Sequence, residues 1–114
     1  MSRLPNTVVE TPPYLAQAKG VLTAEDRIAV IDMIASDPEC GDVIVGSGGV
    51  RKVRYAVGNK GKSGGARIIY AYHNEDHPVF LLAVFAKNER ATLSKTEVNA
   101  LAKVVRMIFS HYGE

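Results

Sequence analysis

The segment Gly46-Ser-Gly-Gly-Val-Arg-Lys-Val-Arg-Tyr-Ala-Val57, with the loop Gly58-Asn-Lys-Gly-Lys-Ser-Gly-Gly65 and then Ala66-Arg-Ile-Ile-Tyr-Ala-Tyr-His73, decides how this chain is read. Between Val50 and Val57, Lys52 and Arg54 recur at every second position, and Val53, Tyr55 and Val57 occupy the alternate ones. That period of two is a β-strand with one basic face and one apolar face. The glycine-rich turns on either side place further strands next to it. Asp42 to Val45 reads as a short strand, Ala66 to His73 as a longer one, and Val79 to Lys87 as another beyond the polar link Asn74-Glu-Asp-His-Pro78. Three or four consecutive antiparallel strands result.

Working outward, Thr7 to Thr11 is a short β-branched run stopped by Pro12-Pro13, which predicts a first strand at a sheet edge. Tyr14 to Lys19 makes a helical turn before Gly20. Thr23 stands three residues ahead of Asp26, an N-cap with a carboxylate in the first turn, and opens a helix over Ala24 to Ser36 that Asp37-Pro38 ends. Its apolar positions Ile28, Ile31 and Ala35, widened by Val30 and Ile34, predict one buried face, with Met33 as core filling. At the other end Ser94 and Glu97 form a capping box. Val98, Leu101, Val105, Ile108 and Tyr112 then recur at intervals of three and four, a helix over Lys95 to Tyr112 expected to lie across the apolar face of the sheet. The order of elements argues for an α+β fold, a small antiparallel sheet with helices packed on one face and the other face available.

At 114 residues and 46% hydrophobic content the chain is read as one domain over residues 1–114, able to bury roughly two thirds of the surface its unfolded form exposes. No apolar run approaches the roughly 18–20 residues that cross a bilayer, and the N-terminus lacks a basic head followed by an apolar signal core, so the expected location is the cytoplasm with no membrane partner. Cys40 is the only cysteine, which excludes an intramolecular disulfide and a Cys-based metal site; it is read as structural or incidental. His73, His77 and His111 are too scattered for a metal-ligand spacing.

Charge is divided unevenly. Arg51, Lys52, Arg54, Lys60, Lys62 and Arg67 fall in the 32 positions between Asp42 and Glu75, where no acid occurs, so this stretch carries +6 and the rest of the chain −4 behind an overall +2. Such a split offers a basic surface to a polyanion. The plainer alternative is a solvated strand face. Like charges on a sheet face destabilise it, however, and no acid nearby in the sequence compensates them. The string Ala56-Val-Gly-Asn-Lys-Gly-Lys-Ser63 meets a loose phosphate-loop pattern, but Gly-Gly and a strand follow Ser63 where a phosphate loop needs a helix N-terminus. It reads instead as a flexible basic hairpin loop. No Gly-x-Ser-x-Gly elbow or Ser/His/Asp set supports nucleophilic hydrolysis.

Gly46-Ser-Gly-Gly-Val-Arg-Lys-Val-Arg54, Gly61-Lys-Ser-Gly-Gly-Ala-Arg-Ile-Ile-Tyr70 and Phe85-Ala-Lys-Asn-Glu89 occur in an order and spacing that resembles the RelE/ParE superfamily of type II toxin-antitoxin toxins, in its HigB-like branch. The resemblance implies a small toxin that enters the ribosomal A site and cuts mRNA there as an endoribonuclease, inhibiting translation. It also implies a cognate antitoxin, a helix-turn-helix DNA-binding protein, and neither cofactor nor metal. Cutting RNA without metal uses the neighbouring 2′-hydroxyl as nucleophile, with a base for its proton, cations for the phosphorane and an acid for the leaving 5′-oxygen.

By that resemblance the base is a lysine on the strand matching Val50 to Val57, the phosphate clamp falls on Arg67, and the acid is an arginine after the last strand. The base position aligns with Arg54, a poor proton acceptor, and the role moves to Lys52. Asn88 stands where the acid arginine is expected, with Lys87 or Arg90 as substitutes. Glu89 either orients Lys87 or Arg54 or caps the strand end. The base-stacking aromatic is missing near Ser94, leaving Tyr70 and Tyr112 as candidates. Lys52, Arg54, Arg67, Lys87 and Glu89 are thus the catalytic expectation, and Arg51, Lys60, Lys62, Tyr70, Asn88 and Arg90 the RNA-binding one. A ParE-like topoisomerase poison and a non-catalytic ribosome- or RNA-binding module are the alternatives.

Overall fold

The computed structural model describes residues 6–57, 65–89 and 92–112. The elements are β1 (Val8–Glu10), α1 (Pro12–Ala18), α2 (Ala24–Ser36), β2 (Asp42–Val43), β3 (Val50–Ala56), β4 (Gly65–Ala71), β5 (Val79–Ala86) and α3 (Lys95–Tyr112). The strands form one sheet in the order β1-β5-β4-β3-β2. Neighbours from β2 to β5 are antiparallel, whereas β1 occupies the predicted edge by running parallel to β5.

Local chemistry sets the helix ends. Thr11 caps α1 by accepting from the Tyr14 amide at 3.4 Å, while its own hydroxyl donates to the Leu81 carbonyl at 2.7 Å, fastening the helix start to β5. Thr23 and Asp26 close a reciprocal capping box on α2: the Asp26 amide donates to Thr23 Oγ1 at 3.0 Å and the Thr23 amide to Asp26 Oδ2 at 3.1 Å. The other Asp26 oxygen accepts the Tyr55 hydroxyl at 2.9 Å, so one carboxylate both starts α2 and ties it to β3. Burial first, and then this hydrogen bond, push the Tyr55 hydroxyl above its ordinary pKa. Arg27 of α2 grips Glu10 of β1 through both Nε and Nη2, each at 3.0 Å. The expected Ser94–Glu97 box opens α3, with bonds of 2.8 and 3.1 Å.

The α+β architecture agrees with the sequence reading, but the helices do not share one face. Tyr14, Ala18, Leu22, Val30 and Ile34 of the α1–α2 region pack on the face formed by Ala66, Ile68, Tyr70, Leu81 and Val84. Val105 and Phe109 of α3 pack on the opposite face, over Val50, Ile69, Ala71, Phe80 and Leu82. The reason lies in β5. Its residues Val79 to Ala86 include no polar side chain, and a strand apolar on both faces is stable only when both are covered. Within α2 the buried stripe is Asp26, Val30, Ile34 and Ala35, leaving the predicted core position Ile28 60% exposed.

The far end of α3 is fixed by rings. Phe109 stacks on His73 at 5.0 Å and meets His77 edge-on at 5.8 Å, so these two histidines brace the helix. No described helix is long and apolar enough to cross a membrane, and the described residues contain no group of three His, Cys, Asp or Glu side chains arranged to hold a metal ion.

Candidate nucleic-acid interface

The register of β3 against β4 decides which cations meet. Arg54 pairs with Arg67 and Lys52 with Ile69, so Lys52, Arg54 and Arg67 project from the face that carries α3, beyond the apolar area α3 covers. Side chains directly opposite in an antiparallel pair stand about 4.5–5.5 Å apart at Cβ, which sets two guanidinium stems side by side and costs stability unless an anion lies between them. Arg67 in turn pairs with Phe85 on β5. Two positions further on, Lys87 lies on the same side; its amide donates to the Gly65 carbonyl at 2.9 Å, and a β-carbon on Gly65 would touch the lysine stem at 3.7 Å. Among the described residues none of these four cations has an ion-pair partner. Arg67 Nε is buried and meets no hydrogen-bond acceptor there either.

Two cavities adjoin at this point. One, of about 440 Å³, is lined by Cys40, Asp42, Lys52, Val53, Arg54 and Arg67. The other, of about 270 Å³, is walled by Val43, Ile44, Ile69, Phe85, Leu93 and Val98, and also reaches Lys52 and Arg67. A charged hollow thus lies beside an apolar one, with Lys52 and Arg67 common to both.

The edge of the charged hollow is built by a short, heavily fastened segment. Ser47, in the turn between β2 and β3, is buried; its hydroxyl accepts from the Val50 amide at 3.0 Å and donates to the Ile44 carbonyl. Gly46, Gly48 and Gly49 take positive φ around it (79°, 77° and 113°), a conformation that glycine alone adopts without strain. Behind β2, Tyr70 donates its hydroxyl to the Pro38 carbonyl at 2.7 Å and accepts from the Gly41 amide at 2.9 Å. Arg51 donates to the carbonyls of Glu39 (3.3 Å) and Gly41 (2.8 Å) and approaches the Glu39 carboxylate at 4.0 Å. A β-carbon on Gly41 would stand 2.7 Å from the Lys52 carbonyl oxygen, so this close approach requires glycine.

A family model for the RelE toxin of the RelE / RelB toxin-antitoxin system matches residues 35–113, the segment from the end of α2 to the end of α3. The chain belongs to the RelE toxin family. The free-state structure of the E. coli toxin RelE, in a mutant in which two arginines are replaced by alanine, shares the fold, with a TM-score of 0.57 over 90% of this chain and 98% of that one, at 18% identity.

Within this RelE-family toxin the expected site residues divide into three groups. Lys52, Arg54 and Arg67 are brought together around one cavity, and Lys87 lies on the same side of the sheet beside Gly65. Arg51 and Tyr70 are not: both lie on the opposite face, where Tyr70 is completely buried and cannot stack on a base, and where the Arg51 guanidinium is spent on the 39–41 backbone. Burial pushes the Tyr70 hydroxyl well above its ordinary pKa, which keeps it a donor. Asn88 and Glu89 are exposed in the turn after β5, and among the described residues Glu89 forms no ion pair with Lys87 or Arg54. Lys60, Lys62, Arg90 and the Tyr112 side chain lie outside the described residues.

Sequence reasoning missed two features of this RelE-family site. Phe85 supplies an aromatic wall of the apolar cavity from β5, and Asp42 faces the cations from β2. The alternation of β5 pointed to the first, since Phe85 and Lys87 share a parity. Only the β2–β3 register reveals the second.

Proposed function

We propose that this toxin is a ribosome-dependent, metal-independent endoribonuclease of the HigB-like kind that cuts mRNA in the A site and so stops translation in the cytoplasm, under the control of a cognate helix-turn-helix antitoxin. The observation that carries this reading is the set Lys52, Arg54, Arg67 and Lys87, gathered on one side of the sheet without an ion pair among the described residues. Fixed cations of this kind stabilise the charge that develops on a phosphorane.

Arg67, central and partly buried, grips the scissile phosphate; Lys52 takes the proton of the attacking 2′-hydroxyl, and Arg54 holds the backbone on the β2 side. Lys87, on the opposite flank, donates a proton to the leaving 5′-oxygen. Attack by the 2′-hydroxyl then leaves a 2′,3′-cyclic phosphate upstream of the cut and a 5′-hydroxyl downstream.

The test is to add the purified protein to ribosomes holding a defined mRNA and map the ends. Cuts within the A-site codon bearing those termini support the reading, and Arg67→Ala and Lys52→Ala should each suppress them. Intact mRNA combined with replication arrest and double-strand DNA breaks in expressing cells would establish a topoisomerase poison instead. Neither effect would leave a binding module without chemistry.

A further inference from the structure

The cationic set lacks a proton acceptor. Guanidinium and ammonium groups offer donors and no acceptor lone pair, so Arg54, Arg67 and the charged form of Lys52 cannot take the proton from a 2′-hydroxyl. The structure supplies a group of the opposite kind. Asp42 is the cross-strand partner of Lys52 in the β2–β3 ladder and therefore projects to the same side. It lines the charged cavity together with Lys52, Arg54, Arg67 and Cys40, and is exposed to solvent there. Among the described residues, those are the charged and titratable groups lining the cavity with it, from β3, β4 and the 38–41 segment. Despite lying opposite Lys52, Asp42 forms no ion pair with it or with Arg54 among the described residues.

We infer that Asp42 is the general base of this site. The inference rests on the nuclease reading proposed above and transfers the acceptor role from Lys52 to the carboxylate opposite it. In the step, the O2′–H proton passes to the Asp42 carboxylate as the O2′–P bond forms. The P–O5′ bond breaks, and O5′ takes a proton from the Lys87 ammonium. Asp42 ends protonated and Lys87 neutral, and exchange with water restores both. Lys52 and Arg54 hold the RNA backbone beside the base.

Placement of the carboxylate follows from contacts already described. Tyr70 and Arg51 anchor residues 38–41 from the other face, and Ser47 fastens the β2–β3 turn, so the chain enters β2 with little freedom and Asp42 is held opposite Lys52. Tyr70 and Arg51 are positioning residues on this account. They reach the chemistry only through the segment they fix.

The decisive comparison is single-turnover cleavage on programmed ribosomes across pH, alongside affinity for a non-cleavable 2′-deoxy oligonucleotide, for the unsubstituted protein, Asp42→Asn and Asp42→Glu. Asp42→Asn is expected to slow cleavage by about 10²–10⁴-fold and to remove the fall in rate toward acid pH, while oligonucleotide affinity stays level or rises because a negative charge has left the cleft. Asp42→Glu should restore part of the rate and the acid limb. A merely structural role would lower rate and affinity together. Cleavage by Asp42→Asn within about threefold of the unsubstituted rate, or with its acid limb intact, overturns the inference and leaves the nuclease reading standing. No cleavage by the unsubstituted protein overturns both.

Discussion

The two faces of the sheet use similar side chains to opposite ends. On the face under α1 and α2, polar groups are paired within the protein: Arg51 and Tyr70 to the 38–41 backbone, Tyr55 to Asp26, Arg27 to Glu10. On the other face, beyond α3, Lys52, Arg54, Arg67 and Lys87 have no ion pair among the described residues, and Arg54 directly opposes Arg67. Arg51 and Arg54 make the contrast sharpest, being the same residue type on the same strand. An arginine whose donors meet carbonyls of its own chain is part of the scaffold. Arginines that crowd one another without an internal partner leave charge for an external anion, which on the proposed reading is a ribose-phosphate chain.

The largest expected break in this contrast comes from Arg67→Ala. Losing one fixed donor to a developing oxyanion costs about 10²–10³ in rate, so mRNA cleavage should fall by that factor while the melting temperature holds or rises, because a repulsion has been removed. Arg51→Ala should do the reverse, lowering the melting temperature and reducing cleavage by about tenfold at most, through loosened β2. Cleavage assays and thermal melts on the two variants decide it, and exchanged outcomes would invert the assignment of the faces. Next in size is Tyr70→Phe, which strands the Gly41 amide and the Pro38 carbonyl inside the protein and is expected to destabilise by about 1–3 kcal/mol in urea titration. Smaller again are the effects on salt dependence. Lys52→Ala and Arg54→Ala should each flatten the plot of log affinity for single-stranded RNA against log salt by about 0.7, with Arg51→Ala leaving the slope unchanged.

Much of this was legible in the sequence, for physical reasons. Strong local signals sit at both long helices: the Thr23 and Ser94 caps and the three-and-four spacing predicted α2 and α3 with the ends observed. The parity of Lys52 and Arg54 against Val53 and Tyr55 likewise fixed which side of β3 is basic. Parity does not say which face a helix will choose. The polar-free run of β5 signalled that both faces are covered, and weighing it would have moved α3 to the side where it lies. Arg51 follows the same logic, since its odd position on β3 already separated it from Lys52 and Arg54, whereas Tyr70 needed the register with β3 to be placed behind the 38–41 segment. Asp42 lay beyond reach because a two-residue edge strand carries almost no periodic signal, and its register is set by Ser47, Tyr70 and Arg51 from elsewhere in the fold.

The smallest predicted effect tests the covered face at Tyr14, an exception among the described residues. Tyr14 of α1 is completely buried, yet its hydroxyl meets no hydrogen-bond partner among the described residues. Burial, and then the Glu10 carboxylate, push its pKa from 10.0 up to about 12, with Arg27 opposing. The stability tied to that proton is whole below pH 10.0, where folded and unfolded chains both hold it, and is lost as pH rises through about 12, because only the unfolded chain ionises easily. Tyr14→Phe should therefore flatten the alkaline decline in stability and, by removing an unpaired buried hydroxyl, leave neutral-pH stability equal or higher by about 1 kcal/mol. Tyr70→Phe, the same substitution on the same face, should move the other way at neutral pH, since its hydroxyl is paired twice. Urea titrations of both variants at pH 7 and again in the alkaline window check the opposite signs. Equal losses at neutral pH would show that Tyr14 has a partner after all, and the exception would disappear.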